Sequence, residues 1–202
     1  QPWHDSTHIA LCRLCEDTSG LRPGEDGRWG PCEACDPIRA LSRRLMRAGI
    51  PWEWSGVEGR TDVRRLPNED APEGSPPGRL WWGAPGCGKS HAAALMAWKA
   101  LRGGATALWL GWPTVLDRWR ARVASHNDER PPWEHVARGG VLVLDDLGIG
   151  NATAWNQERL YQAVEELHPD AVLVATSNLT PRELAVWCGA RAWRRIEQRV
   201  CV

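Results

Sequence analysis

Apolar positions along the chain after residue 78 fall into two patterns. Short, mostly apolar runs predict strands buried on both faces of a parallel sheet, and they lie at residues 80–82, 106–110, 141–144 and 171–175. Apolar residues spaced three and four apart predict amphipathic helices, which lie at residues 91–102, 113–125, 153–167 and 190–200. Strands that alternate with helices in this way indicate an α/β fold with a parallel sheet.

The segment before residue 78 is organised differently. Residues 38–48 predict a helix with an apolar stripe and a basic face formed by Arg39, Arg43, Arg44 and Arg47. Such a face is either solvated or a contact surface for protein or nucleic acid. Pro and Gly recur through residues 49–78, which predicts a linker. We therefore expect three parts: a small module at 1–37, a helix and linker at 38–77, and the main domain at 78–202.

Charge and composition argue against a membrane-spanning or secreted protein, but they do not indicate a partner. The 202 residues carry 25 basic and 25 acidic side chains, so net charge argues neither for nor against nucleic acid. No apolar run approaches the ~20 residues of a membrane span, and the first residues do not resemble a secretory signal. Seven cysteines, an odd number, fit a reducing compartment better than a disulfide framework. We expect a cytoplasmic protein without a membrane contact.

A glycine-rich loop carries the first chemical signal. Residues 83–90 read GAPGCGKS, which fits the pattern G-x-x-x-x-G-K-[ST] between a predicted strand and a predicted helix. Glycine backbones and helix N–H groups in this context cradle phosphates, while a chance glycine turn is the alternative. Lys89 is expected to reach the β- and γ-phosphates, and the Ser90 hydroxyl to ligate Mg²⁺. The predicted nucleotide-binding residues are Gly83, Ala84, Pro85, Gly86, Cys87, Gly88, Lys89, Ser90 and His91.

Polar residues follow two of the predicted strands. Asp145 and Asp146 follow the run VLVL, and Thr176, Ser177 and Asn178 follow the run at 171–175. Open α/β sheets bind ligands at the carboxyl ends of their strands. We expect Asp145 to hold Mg²⁺ and Asp146 to orient or deprotonate the attacking water, with a loop-capping role as the alternative for Asp146. A polar side chain at the 176–178 tip is expected to sense the γ-phosphate or to hold the water.

Two cysteine pairs predict a metal site near the N-terminus. Cys12 and Cys15 form one C-x-x-C turn, Cys32 and Cys35 form another, and sixteen residues separate the pairs. This spacing is typical of a structural zinc ion held by four thiolates. The glycine-rich stretch between the pairs can form a hairpin but no core, so the metal would supply folding energy. Four loop cysteines or a redox pair are the alternatives.

The predicted helix at 113–125 has a second basic face. Arg118, Arg120 and Arg122 project away from its apolar stripe, close in sequence to Trp112. Such a helix either lines a groove for a single nucleic acid strand or packs its apolar stripe and leaves a solvated basic face.

With these elements the chain resembles the AAA+ ATPases, and within them the DnaC/DnaI helicase-loader and IstB group. The resemblance rests on residues 83–90 together with VLVLDDLG at 141–148, ATSNLT at 175–180 and GARAWRRI at 189–196. The cysteine cluster followed by IRALSRRLMRAGIP resembles the zinc-bearing front end of loaders from Gram-positive bacteria and phages. The resemblance implies a three-layer α/β/α P-loop NTPase domain, preceded by a small zinc-binding module.

The resemblance also implies residue roles and partners. Asn178 falls at the sensor-1 position, and Arg195 falls where this group carries an arginine finger for the γ-phosphate of a neighbouring subunit. Arg191 is the second candidate for the finger, and a surface salt bridge is the alternative for either residue. The implied cofactors are ATP or ADP, Mg²⁺ and Zn²⁺. The implied partners are a DnaB-type replicative helicase, single-stranded DNA and, with ATP, further copies of this chain.

Two departures bear on activity, one from the pattern of the group and one from AAA+ proteins at large. The fifth sheet strand and the sensor-2 arginine of the group are expected beyond Val202, so we expect either a domain truncated at its C-terminus or a domain that lacks these parts. The residue after Asp145 is Asp rather than the Glu common in AAA+ proteins, which suggests slow turnover. Three functions therefore stay open: an ATP-dependent helicase loader with slow, oligomer-dependent hydrolysis; an IstB-like helper ATPase for a transposase, against which the zinc module argues; and a zinc-dependent adaptor that binds nucleotide without hydrolysing it.

Overall fold

The computed structural model describes residues 21–23, 29–31, 47–51, 76–124, 133, 136 and 138–202. The chain divides into two compact units, residues 1–44 and 45–202. In the first unit, β1 (Leu21–Pro23) and β2 (Trp29–Pro31) form an antiparallel hairpin. This hairpin lies between the two cysteine pairs, in the glycine-rich stretch where a hairpin is expected.

The second unit is built on a parallel five-stranded sheet with strand order β4-β5-β6-β3-β7. The strands are β3 (Gly78–Trp82), β4 (Ala107–Gly111), β5 (Val141–Leu147), β6 (Val172–Ser177) and β7 (Val200–Cys201). The helices are α1 (Lys89–Arg102), α2 (Trp112–Ala124), α3 (Ala154–Glu165) and α4 (Pro181–Glu197). The predicted α/β fold with a parallel sheet is therefore confirmed.

Alternation along the strands assigns the helices to two faces of the sheet. One buried cluster joins strand residues to α2, α3 and α4; its strand members include Leu80, Leu110, Leu142 and Leu173. The residues adjacent to these in the same strands are also buried but lie outside this cluster: Trp81, Trp109, Val143 and Val174. Because successive strand side chains point to opposite faces, these residues face a second layer. Helix α1 supplies it, since α1 contacts β4, β5 and β6 and its buried residues are mostly alanine.

Local signals set the ends of two helices. Thr153 caps α3, and Thr180 caps α4 through a reciprocal capping box with Glu183, with Pro181 in the first turn. Helix α4 is interrupted at Gly189, whose φ of 74° is not helical. The last predicted helix therefore corresponds to the second part of α4. Among the described residues, no helix combines the length and apolar character that crossing a bilayer requires.

The structure corrects three expectations. Trp82 is 46% exposed rather than buried, because it lies at the end of β3 where the covering layers stop. The last helix ends at Glu197 and not at Val200, because Val200 and Cys201 form β7 beside β3. The fifth strand is therefore present within the chain and does not lie beyond Val202.

Gly78 permits the contact between β3 and β7. A Cβ on this residue would overlap the backbone carbonyl oxygens of Arg199 and Leu173, which cannot rotate away. We expect Gly78→Ala to lower the free energy of unfolding by about 1–3 kcal/mol, as overpacking does, and to detach β7. Urea unfolding measures this. Gly103→Ala is the matched control, since its Cβ would stay 3.5 Å from the nearest atoms; equal stability of the two variants would contradict the prediction.

Candidate functional site

The glycine-rich loop joins β3 to α1 at the carboxyl edge of the sheet. Gly83, Gly86 and Gly88 have φ angles of 138°, 81° and 94°, which residues with a side chain rarely adopt. A Cβ on Gly86 or Gly88 would meet nothing within 4 Å, so open space lies over this part of the loop. The loop therefore forms a cradle whose backbone an anion can approach closely.

The N-terminus of α1 faces this loop without a side-chain cap. Its N-cap residue is Gly88, no side-chain capping hydrogen bond is present, and the first turn contains no acidic residue. By contrast, Thr153 and Thr180 cap α3 and α4. The first N–H groups of a helix need acceptors, and a phosphate group is a suitable one. His91, the last residue of the predicted nucleotide-binding set, lies half-buried in this first turn.

Lys89 lies over the loop rather than in solvent. Only 8% of the residue is exposed, and Nζ donates to the carbonyl oxygens of Gly83 and Ala84 at 2.9 Å each. The Sγ of Cys87 lies 3.7 Å from the same nitrogen. These contacts fix a compact positive charge at the loop, where it can attract the oxygens of a phosphate.

Ser90 and Asp145 meet at the edge of the sheet. Ser90 Oγ donates to Asp145 Oδ1 at 2.9 Å, and Thr176 Oγ1 donates to the same oxygen at 2.6 Å. Burial raises the pKa of Asp145 above its ordinary value and Asp146 adds to this, while the two hydroxyls and Lys89 lower the pKa. A hydroxyl beside a carboxylate offers the oxygen ligands that Mg²⁺ prefers, so these residues fit such an ion.

Asp146 lies in a bulge of β5. The ladder between β5 and β6 shifts register after Leu144, so that Asp145 and Asp146 oppose Thr176 alone. Asp146 has a φ of 61°, in the left-handed region that Asp and Asn enter more readily than other side-chain-bearing residues. Bulges re-aim side chains and occur often beside active sites.

The end of β6 holds both chemical segments together. The backbone N–H of Gly83 donates to the carbonyl oxygen of Ser177 at 3.2 Å, and the Ser177 hydroxyl donates to the carbonyl oxygen of Leu147 at 2.7 Å. The backbone N–H of Leu179 donates to that hydroxyl at 3.0 Å. The glycine-rich loop and the Asp-Asp segment are thus both anchored to one residue of β6.

This geometry agrees with the comparison with known families. The profile of the IstB-like ATP binding protein family matches residues 80–193, which include the loop, the Asp-Asp segment and the end of β6. The chain belongs to this family. ATP is therefore the expected ligand of the cradle. A search of curated proteins found no match to the chain.

Solved structures share the fold of this family member at low sequence identity. The DnaC helicase loader has a TM-score of 0.52 and 20% identity over 61% of this chain and 75% of its own. DnaI has a TM-score of 0.51 and 19% identity over 91% of this chain and 87% of its own. Domain III of the Thermotoga maritima replication initiation protein DnaA has a TM-score of 0.53 and 16% identity over 81% of this chain and 60% of its own. The predicted AAA+ P-loop NTPase fold is thereby confirmed.

Two other predicted site residues lie at different places. Asn178 is exposed directly after β6, next to the residue that anchors Gly83. Arg195 lies on α4, where its Nε and Nη2 donate to the Glu165 carboxylate at 2.6 and 3.1 Å. The contacts described for Arg195 do not reach the phosphate-binding loop, so the structure does not bring this residue together with Lys89 in one chain.

A basic groove of about 460 Å³ surrounds Arg195. Its lining consists of Tyr161, Ala190, Arg191, Arg194 and Arg195. Arg191, the second finger candidate, stacks its guanidinium on Tyr161 at 3.8 Å from the ring centre and lies 3.4 Å from the Glu158 carboxylate. Both candidates therefore already contact an acidic residue of α3.

The predicted zinc ligands Cys12, Cys15, Cys32 and Cys35 lie outside the described residues, as does most of the basic helix at 38–48. Within the part of the chain that is described, no group of three or more His, Cys, Asp or Glu residues could hold a metal ion. The zinc site stays a prediction.

Part of the basic face of α2 contacts other residues of the same chain. Arg120 donates to Asp117 and Asn156 at 2.8 Å each and stacks on Trp155 at 5.0 Å. Arg118 is exposed, whereas the Arg122 side chain lies outside the described residues. A groove for single-stranded DNA on this face stays a prediction that rests on Arg118 rather than Arg120.

Sequence reasoning treated residues 176–178 as one polar tip and missed the separate position of Thr176. Threonine at the end of a strand is common, so its type alone gives no signal. Only the register shift places its hydroxyl opposite both aspartates.

Proposed function

We propose that this chain is a Mg²⁺-dependent ATPase that loads a ring-shaped replicative helicase of the DnaB type onto single-stranded DNA. The observation that carries the ATPase part is the 2.9 Å hydrogen bond between Ser90, at the end of the glycine-rich loop, and Asp145 of β5. The likeness to the DnaC helicase loader and to DnaI supports the loading part.

The site residues divide the work of hydrolysis. The backbone of residues 83–90 and the Lys89 ammonium bind the phosphates of ATP. Ser90 and Asp145 hold Mg²⁺, which when bound neutralises charge on the β- and γ-phosphates. Asp146 orients the attacking water and accepts its proton.

Assembly of several copies completes the proposed site. Asn178 contacts the γ-phosphate from the end of β6, and Arg195 acts on the nucleotide of a neighbouring copy. An arginine supplied in this way is worth on the order of 10³–10⁵ in rate. Hydrolysis is therefore slow in the monomer and rises when ATP drives assembly.

The three parts of the chain have separate roles in this proposal. The module at 1–37 and the helix and linker at 38–77 bind the helicase, and the domain at 78–202 binds ATP and single-stranded DNA. Loading is tested by offering a DnaB-type helicase circular single-stranded DNA, with ATP or with ADP, and measuring the helicase retained on the circle. We expect retention with ATP only. No increase over helicase alone would overturn the loading role and leave the ATPase role intact.

A transposition helper is the second candidate, because the family matched by residues 80–193 is IstB-like. The two candidates differ in partner rather than in chemistry. A pull-down that offers a replicative helicase and a transposase together separates them. Selective capture of the transposase would replace the loader proposal.

The four N-terminal cysteines are proposed to hold one structural zinc ion. We expect about one zinc per chain by metal analysis, and loss of that zinc in Cys12→Ser, because a tetrahedral site needs all four ligands. Cys201→Ser is the control, since Cys201 is a free cysteine outside the cluster. A preparation that is fully folded and free of metal would contradict the zinc site.

A further inference from the structure

We propose that Thr176 is a positioning residue for both carboxylates of the site, and that its single hydroxyl aims Asp145 and holds Asp146 in the bulge. This inference rests on the proposed function, in which Asp145 holds the metal ion and Asp146 acts on water.

The hydroxyl of Thr176 has two partners, one on each aspartate. It donates its proton to Asp145 Oδ1 at 2.6 Å, and its oxygen accepts the backbone N–H of Asp146 at 3.0 Å. Thr176 is 0% exposed, so bulk water cannot replace either contact. The same oxygen atom therefore sets a side-chain direction at Asp145 and a backbone position at Asp146.

The bulge explains why a hydroxyl is needed at this place. The backbone N–H of an extra residue in a strand has no carbonyl acceptor on the neighbouring strand. A buried N–H group without a partner raises the free energy of the folded state. The Thr176 hydroxyl supplies the acceptor that the regular ladder no longer offers to Asp146. Bulges are rare in parallel pairs such as β5 and β6, and this one lies beside the proposed metal ligand.

The bulge matters to the site because of the alternation of strand side chains. In a regular strand, Asp145 and Asp146 would point to opposite faces of the sheet. The extra residue and the φ of 61° at Asp146 break this alternation at the carboxyl edge. Two neighbouring carboxylates can then serve one nucleotide.

No other described side chain makes both contacts. Ser90 also donates to Asp145 Oδ1, but its hydroxyl does not accept the backbone N–H of Asp146, which Thr176 accepts. Ser177, the next residue of β6, bonds instead to the backbone of Leu147 and Leu179. Among the residues that the structure describes, Thr176 is thus the one that connects the proposed metal ligand to the proposed base.

The test compares Thr176→Val, which keeps the shape and removes the hydroxyl, with Thr176→Ser, which keeps the hydroxyl. The affinity for a non-hydrolysable ATP analogue is measured with Mg²⁺ and with EDTA. The gain from Mg²⁺ is the ratio of the affinity with Mg²⁺ to the affinity with EDTA. We expect this ratio to be about tenfold smaller in Thr176→Val than in the wild type, because a hydrogen bond to a charged group is lost. Affinity in EDTA stays within about twofold, because Lys89 and the loop are unchanged. Thr176→Ser retains the wild-type gain.

Hydrogen exchange of the Asp146 amide provides a second measurement without nucleotide. We expect this amide to exchange faster in Thr176→Val, while the Val143 amide in the regular ladder keeps its protection. The inference would be overturned if Thr176→Val kept the wild-type gain in affinity from Mg²⁺, or if its Asp146 amide exchanged at the wild-type rate. It would also be overturned if the variant lost the same affinity with Mg²⁺ as with EDTA. A wild type whose affinity does not respond to Mg²⁺ would instead overturn the proposed function.

Discussion

Lys89→Ala is expected to reduce ATP hydrolysis by on the order of 10²–10³, because a preorganised charge beside the transferred phosphoryl group is lost. The structure already holds the Lys89 ammonium over the glycine-rich loop through the carbonyl oxygens of Gly83 and Ala84. We also expect the affinity for MgATP to fall by at least about tenfold, since hydrogen bonds from a charged group are strong. Single-turnover hydrolysis and calorimetric binding measure the two effects separately.

The sequence offers a matched control for this variant. Lys99 is the only other lysine of the chain, and it lies exposed in the last turn of the same helix, α1. Lys99→Ala removes the same charge and is expected to hydrolyse ATP at the wild-type rate. If Lys89→Ala kept more than half of the wild-type activity, the glycine-rich loop would not be the site of the reaction.

Asp146→Asn is expected to lower turnover by about 10²–10⁴, the usual contribution of general base catalysis. The substitution is suited to this position, because Asn tolerates the φ of 61° as well as Asp does. The amide cannot accept a proton from water. Binding of MgATP should be retained or become tighter, since a negative charge beside the triphosphate is removed.

Measuring turnover and MgATP binding on one preparation separates the non-hydrolysing adaptor from the two ATPase functions that the sequence leaves open. Asp117→Asn is the control, as this aspartate is 76% exposed on α2. If Asp146→Asn loses turnover and still binds MgATP, the protein is an ATPase. Equal and negligible turnover in wild type and Asp146→Asn, with nucleotide still bound, would favour the non-hydrolysing adaptor and return Asp146 to a loop-capping role.

The sequence predicts the elements that carry the site where the pattern is local, that is, where the residues that form it are neighbours in the chain. Strand, glycine-rich loop and helix follow one another between residues 78 and 102, so the motif and its context are contiguous. The capping box at Thr180 is equally local. The strands at 141–147 and 172–177 also follow from apolar runs, because each is buried in the middle of the sheet.

The features that the sequence did not predict depend on contacts between distant residues. Strand β7 has two residues and exists because β3 offers an edge at Gly78 and Arg79, so its own sequence reads as the end of a helix. The run VLVL predicts a strand that ends before Asp145, and the continuation of β5 through a bulge to Leu147 appears only against β6. Trp82 is apolar like its neighbour Trp81, and only its place at the end of β3 distinguishes the two.

The contact between Arg195 and Glu165 has a consequence for assembly. Because the guanidinium already holds a carboxylate in its own chain, a neighbour's phosphate would exchange one anion for another instead of displacing water alone. The loss of this half-exposed ion pair would reduce the free energy gained by at most about 1 kcal/mol. Once the phosphate leaves, Glu165 can take the guanidinium back, which in the proposed assembly favours separation of the two copies.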